Sequence, residues 1–466
     1  VQHAWRGHFE ISAIRAGRAG AIDDANPELF VTQTPCLKTG FAATMMSMLG
    51  VDLPQKMALA VSGGGDSMAL LYLAADWARL WQVDLSVVTI DHQLRRESGA
   101  EAALVKAVSQ DLGLTHTTLL WQGWNGQGNL PDAARRARLD LINGWRREIQ
   151  YVLMGHTLDD QAETFLMRLR RGSGVDGLSG IAPVHLVTGS ENDNLSASSS
   201  GLHASGSLHV LRPLLAVSRA NLRAHLTKIG ASWVDDPSNQ DDHYERVRMR
   251  QFMPDLEAVG LYQKGLADTA KRLRRARTAL SRRAVAVAEQ IAHQDDGDVV
   301  FDLEALGEIE EETQLRLLAA ALCWVSSNAY RPRLNVLENA LQAALVGKNG
   351  ALHGGLIRVH GTQLRITREY QAVRDTRHIV GNRGFWDGRW QITGPKIDGT
   401  EIRPLGPEGV QQIGTAWQNR PNYAIILSKP GIFRDNQLIA CQSAGFGPAY
   451  EQQIQPSSFT SLLIEH

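Results

Sequence analysis

Between residues 41 and 186 apolar and polar positions fall into repeating blocks. Short, mainly apolar runs at 57–60, 85–90 and 151–154 are each followed by polar or glycine residues and then by amphipathic sequence. Runs of this length bounded by turn residues predict buried strands, and their alternation with helical patterns predicts a parallel α/β sheet that takes ligands at the carboxyl ends of its strands. The segment 188–207, dominated by Gly, Ser and Asn, predicts a flexible surface insertion, and the pattern resumes at 208–215. From 260 to 350 the sequence is rich in Ala, Leu and Arg and predicts helices, with no strand alternation until 356–366. Short apolar runs at 390–392, 423–427 and 438–441, between Gly, Pro and Asp turns, predict a small β-containing unit. The expected organisation is an extension without fixed structure over 1–40, an α/β domain over 41–255, a mainly helical domain over 260–375 and a C-terminal domain over 380–466.

Composition narrows the class. A chain of 466 residues is long for one core, and roughly 100–200 residues per domain gives two to four. Lys+Arg 48 against Asp+Glu 49 leaves a net charge of -1, so any nucleic-acid surface must be local. Cys36, Cys323 and Cys441 lie far apart and form no paired motif, which argues for a reducing compartment and against zinc, an iron–sulfur cluster or a disulfide framework. No apolar stretch approaches the roughly 18 residues of a membrane span, and the first thirty residues lack the apolar core of a signal peptide. A cytoplasmic location without membrane contact is expected.

The most informative segment is Ser62-Gly63-Gly64-Gly65-Asp66-Ser67, placed between the first apolar run and the helical stretch that opens at Met68. Adjacent glycines let backbone N–H groups turn inward, and the helix behind them adds the positive end of its dipole, so phosphate is the natural guest. A carboxylate inside an anion site is unfavourable unless a cation bridges the two, so Asp66 reads as a Mg²⁺ ligand, directly or through water. No Lys follows the last glycine, which separates this loop from a Walker A element and points to the pyrophosphate loop of an ATP-pyrophosphatase.

Two more polar clusters follow predicted strands: Asp91-His92-Gln93-Leu94-Arg95, and Gly155-His156-Thr157-Leu158-Asp159-Asp160-Gln161-Ala162-Glu163-Thr164. If the chain is helical from Thr157, then His156, Asp160 and Glu163 share one face near an electropositive N-terminus. Alone this is an ordinary capped surface helix; beside a phosphate loop it is a candidate catalytic face.

With Arg168-Leu169-Arg170-Arg171-Gly172-Ser173-Gly174-Val175-Asp176-Gly177-Leu178-Ser179-Gly180-Ile181, Arg212-Pro213-Leu214-Leu215, Trp233-Val234-Asp235-Asp236-Pro237-Ser238-Asn239 and Ile402-Arg403-Pro404-Leu405-Gly406, the chain resembles the tRNA(Ile)-lysidine synthetases of the PP-loop superfamily. The resemblance covers roughly 41–446 and is strongest over 57–254. It departs at Val247, where the family usually has Asn, and at 129–132. It implies a PP-loop domain with an adenine-nucleotide α-hydrolase-like parallel sheet, ATP and Mg²⁺ as cofactors, and free L-lysine and a CAU-anticodon tRNA(Ile) as substrates. The implied reaction joins lysine to C2 of the wobble cytidine through an adenylated RNA, with diphosphate and AMP released, and changes codon reading from AUG to AUA. On this reading residues 62–67 hold pyrophosphate, Arg135, alone or with Arg138, offsets phosphate charge, His156 contacts the α-phosphate or the adenylate, and Asp160 and Glu163 attract and deprotonate the lysine ammonium. Arg246 is a candidate base or phosphate contact. The basic run that includes Lys271, Arg274, Arg275 and Arg277 is a solvated helix face or, beside such a site, a surface for RNA phosphates. A homodimer is left open. The competing readings are a PP-loop tRNA thiolase, which would need a cysteine or cluster among the motifs, and a tRNA-binding protein without catalysis.

Overall fold

The computed structural model describes residues 36–93, 98–122, 124, 130–187, 207–235, 243, 245–380, 384–394, 399–415 and 422–464. The expectations for 1–35, for Leu94 and Arg95, for Asn129, for 188–206 and for Asp236 to Asn239 lie outside these residues.

The first sheet contains β1 (Lys56–Ala60), β2 (Asp84–Asp91), β3 (Thr115–Leu120), β4 (Tyr151–Met154), β5 (Val184–Val187) and β6 (Leu208–Leu211) in the order β3-β2-β1-β4-β6-β5, parallel except for β5. Met57, Leu59, Val87, Val152, Leu153 and Val210 are almost fully buried, as a sheet covered on both faces requires. The helices around it are α1 (Leu37–Leu49), α2 (Gly65–Trp81), α3 (Ser98–Asp111), α4 (Leu130–Trp145), α5 (Leu158–Arg170), α6 (Val175–Leu178), α7 (Arg219–Lys228) and α8 (Glu245–Ala258). The strand order reverses between β1 and β4, so the loops leaving these neighbours open a crevice between them, where open α/β sheets bind ligands. Those loops are the glycine run and Gly155-His156.

Beyond the first sheet, the 29-residue α9 (Gln263–Ile291) runs into β7 (Ala292–Asp295) and β8 (Asp298–Asp302), followed by α10 (Leu303–Gly307), α11 (Glu311–Ser326), α12 (Leu334–Leu345), β9 (Gly350–Leu352), β10 (Gly355–His360) and β11 (Gln363–Arg368). Side chains such as Leu317, Leu318, Leu322 and Trp324 of α11 pack on Phe301, Ile357 and Ile366 of this second sheet. The last part contains β12 (His378–Ile379), β13 (Trp390–Thr393), β14 (Thr400–Pro404), β15 (Pro430–Arg434), β16 (Gln437–Ala440) and β17 (Glu451–Ile454), in a four-stranded and a two-stranded sheet.

Four local expectations change. Helix α1 begins at Leu37, inside the stretch expected to lack structure, because Phe41 and Met45 enter the first core. Strand β3 is an addition to the expected set: it pairs only with β2 at the sheet edge, and half of its Thr-rich sequence is exposed, at Thr115, Thr118 and Leu120. The β7–β8 hairpin interrupts a region expected to be helical. It turns at Asp296 and Gly297, both at positive φ, and Asp-Gly is the dipeptide such a tight turn favours. Residues Tyr423–Ile426 form a helical turn, not a strand, because the Asn422 side chain accepts the Ala424 N–H at 3.0 Å.

The second and third regions are joined by buried charge. Asp298, fully buried at the start of β8, accepts from Lys429 Nζ at 2.8 Å and from Arg365 Nη1 at 2.8 Å. Removing one member of such a group leaves uncompensated buried charge. Asp298→Ala is expected to cost about 3–5 kcal/mol, read as a lower urea midpoint in the fluorescence of the buried Trp324, Trp386 and Trp390; an unchanged midpoint would refute the structural role.

Candidate active site

The phosphate loop leaves β1 at Val61. Gly63 takes φ +88°, which a side chain disfavours, and Gly64 is the N-cap of α2. Ser67 Oγ donates to the Gly64 carbonyl at 2.9 Å and lies 3.2 Å from both the Ser62 N–H and the Ser62 hydroxyl, closing the loop on itself. Two segments brace it from outside. Val234 donates its N–H to the Gly63 carbonyl at 3.0 Å, and a Cβ at Gly65 would stand 3.4 Å from Trp233 Cδ1. On the other side, a Cβ at Gly155 would come within 3.2 Å of the Asp66 carbonyl oxygen and of Ser67 Cα, so a side chain there would press the loop backbone away by a few tenths of an ångström.

Helix α5 starts from a capping box. The Thr157 hydroxyl accepts the Asp160 N–H at 3.3 Å, while Asp160 Oδ2 accepts the Thr157 N–H at 2.7 Å. The spacing read from the sequence therefore holds, and His156, Asp160 and Glu163 sit at this helix start. Glu163 is 1% exposed. Its Oε2 accepts from Arg246 Nε at 2.6 Å and its Oε1 from Arg250 Nε at 2.9 Å. Asp160 Oδ1 accepts from Arg246 Nη2 at 3.1 Å and Arg219 Nη2 at 3.3 Å. Burial alone would raise the Asp160 carboxyl, but Arg246 and Arg219 hold it below its ordinary value.

Arg219 ties these acids to the phosphate loop. It is the first residue of α7, its N–H donates to Asp159 Oδ2 at 2.8 Å, and its Nε donates to Asp66 Oδ2 at 2.8 Å. Its Nη1 lies 3.6 Å from Glu163 Oε1. Burial raises the Asp66 carboxyl above its ordinary value despite this partner, and Asp66 Oδ1 is buried without a protein hydrogen bond. A buried carboxylate oxygen left open beside a phosphate loop fits a hard divalent cation, which usually takes one or two carboxylates together with substrate phosphates. His156 Nδ1 is likewise buried and open. Burial first, then the Arg212 charge, lowers the imidazole to about 3, so it is neutral at physiological pH.

The remaining candidates divide. Arg135 is exposed on α4, and its charge contributes to the lowering at both His156 and Arg212. Arg246, expected to contact a base or phosphate, is engaged with Asp160 and Glu163. In the basic stretch of α9, Lys271 and Arg275 are exposed, whereas Arg274 and Arg277 point into the protein. Arg274 Nη2 donates to the carbonyls of Ser179 and Ile181 at 2.8 and 2.7 Å. Arg277 Nη1 lies 3.3 Å from Ser179 Oγ, and its Nε lies 3.8 Å from Asp176. Asp176 also receives Arg316 Nη2 at 2.7 Å and Arg331 Nη1 at 2.6 Å, so the Arg-Gly-Ser-Gly segment joins α5 to α9 and α11. Arg219 joins the site without any sequence motif marking it, and Arg250 lies in the 246–250 segment that resembles the family but has no role implied for it there. Their partners lie 56 to 153 residues away, and the local signal for Arg219 is its position just after the N-cap Ser218.

Comparison with known proteins bears on the family. A model described as the PP-loop domain matches residues 37–256. The tRNA(Ile)-lysidine synthase of Ruegeria pomeroyi is 36% identical over 417 residues, covering 89% of this chain and 95% of that one. The tRNA(Ile)-lysidine synthase of Methylobacterium nodulans is 38% identical, covering 72% and 96%. Among solved structures, the U34-tRNA thiolase NcsA from Methanococcus maripaludis superposes with a TM-score of 0.40 at 15% identity, over 52% of this chain and 80% of that one, a likeness that bears on neither activity nor substrate. With a phosphate loop, an acidic helix start and relatives matched over nearly their whole length, the chain belongs to the tRNA(Ile)-lysidine synthase family.

Proposed function

We propose that this protein uses ATP to join free L-lysine to C2 of the wobble cytidine in a CAU-anticodon tRNA(Ile). The observation that carries the reading is the single guanidinium of Arg219, which holds the phosphate-loop acid Asp66 and the α5 acids Asp160 and Glu163 within one reach. Phosphoryl chemistry and capture of an amine thereby share one crevice.

The cytosine C2 oxygen is a poor leaving group. In the first step it attacks the α-phosphorus of ATP, the bond to pyrophosphate breaks, and the C2 oxygen is carried as a phosphate ester. In the second step the lysine ε-amine attacks C2 and AMP departs with that oxygen. The loop N–H groups and the start of α2 receive the pyrophosphate. Asp66 would hold Mg²⁺, which supplies neutralisation of the leaving phosphates. Neutral His156 can hydrogen-bond a phosphate oxygen without adding charge, and Arg135 supplies positive charge nearby. The lysine side chain arrives as an ammonium with a reference pKa of about 10.4, so it must be attracted and then deprotonated. Asp160 and Glu163 are suited to both tasks. Residues 260–375 and 380–466 are proposed to carry RNA-binding surfaces, with Lys271 and Arg275 on the exposed side of α9.

The decisive assay incubates the protein with ATP, radiolabelled lysine and tRNA(Ile) transcript. Label is expected in RNA only when ATP is present, and its absence under all conditions would reject the reading.

Glu163→Gln should separate the steps, because an amide cannot take a proton from the ammonium. With α-phosphate-labelled ATP, label is expected to persist on the RNA in the presence of lysine. Failure to label RNA at all would assign Glu163 to the nucleotide step instead.

Replacing Lys271 and Arg275 together with Gln should weaken tRNA binding and reduce the slope of log affinity against log salt by roughly two, about 0.9 for each phosphate no longer neutralised. An unchanged slope would make these residues an ordinary solvated face.

A further inference from the structure

In this structure the carboxylate oxygens assigned to the lysine ammonium are already engaged. Asp160 Oδ2 is held by the Thr157 N–H and hydroxyl, and Asp160 Oδ1 by Arg219 and Arg246. Glu163 Oε2 is held by Arg246 and Glu163 Oε1 by Arg250, with Arg219 at 3.6 Å. An ammonium that enters must therefore displace a guanidinium.

The three arginines are not equally fixed. Arg219 is bonded to two carboxylates and anchored through its backbone at the start of α7. Arg246 bridges both α5 acids. Among the described residues Arg250 has one carboxylate partner, Glu163, whereas Arg246, equally exposed, has two. Arg250 therefore has the least to lose on leaving. Once displaced, its guanidinium lacks an anion, while free lysine brings one in its α-carboxylate. A guanidinium pairs with a carboxylate in bidentate geometry, and this exchange keeps the buried charge balanced.

Resting on the proposed lysine ligation, we propose that Arg250 occupies the place of the substrate ammonium and, once displaced, pairs with the α-carboxylate of the incoming lysine. Arg250 is then a specificity-determining residue. A diamine of the same length without the carboxylate displaces Arg250 but gives it no partner, and is rejected for that reason. Discrimination comes from a charge left unpaired, and pocket size contributes little to it.

The test uses the full chain, Mg²⁺ and an α,β-methylene ATP analogue, with L-lysine and 1,5-diaminopentane titrated calorimetrically. Wild type is expected to bind lysine at least tenfold tighter than the diamine. In Arg250→Gln the diamine should bind at least tenfold tighter than it does to wild type, since Glu163 Oε1 is freed, and the preference for lysine should fall to near unity. Arg250→Lys keeps the charge, should keep the preference, and serves where the Gln variant does not fold. A Gln variant that retains the wild-type preference, or that loses both ligands in equal proportion, overturns the assignment, as does an Arg250→Lys variant without preference. If wild type transfers lysine to RNA in the radiolabel assay and Arg250→Gln still discriminates, this inference alone fails. If wild type neither binds nor transfers lysine, the proposed function fails with it.

Discussion

The ion cluster around Arg219 is the constraint that organises the catalytic crevice. Its acids come from the first two turns of two helices that follow neighbouring parallel strands, and its arginines from α7 and α8. Carboxylates this buried are tolerated because each has a guanidinium partner, and of these Arg219 is positioned by its backbone N–H at the helix start and Arg246 by a second acid. The phosphate loop could exist without the cluster. Its alignment with the α5 acids could not, because Arg219 is what reaches both.

The parts of this arrangement that are legible in sequence are those written in consecutive residues. A glycine run after an apolar strand specifies an anion loop, and Thr157 with Asp160 three residues later specifies a helix start, because both depend on local backbone geometry. Arg219 and Arg250 are not legible, since an arginine carries no record of the carboxylate it will meet across the fold. Strand β3 is hidden by its place at the sheet edge, where one neighbour and partial exposure permit a polar sequence. The β7–β8 hairpin is better marked, since Asp296-Gly297 is a strong turn signal, but it stands within a stretch otherwise dominated by helix formers.

The basic stretch of α9 shows how charge alone misleads. Lys271 and Arg275 face outward as a charge run predicts, but Arg274 and Arg277 are spent on the segment 176–181. That segment holds its shape through carbonyls offered to Arg168 and Arg274 and through Asp176, which gathers three arginines. Its glycines have a physical reason here: at Gly180, at φ +69°, a Cβ would meet Gln161 Oε1 at 2.4 Å. The helical region is thus seated on the active-site helix through polar contacts as well as apolar ones.

Asp160 divides its two oxygens between unlike tasks. Oδ2 closes the first turn of α5, and Oδ1 faces the arginines of the crevice. Helix capping of this kind is worth about 1 kcal/mol, so one side chain both supports the fold and sets the charge of the crevice. A substitution that removes its side-chain acceptor changes the electrostatics and loosens the helix that aims Glu163 together. Variation that tunes the charge of this crevice is therefore easier at the arginines that surround the acid than at the acid itself.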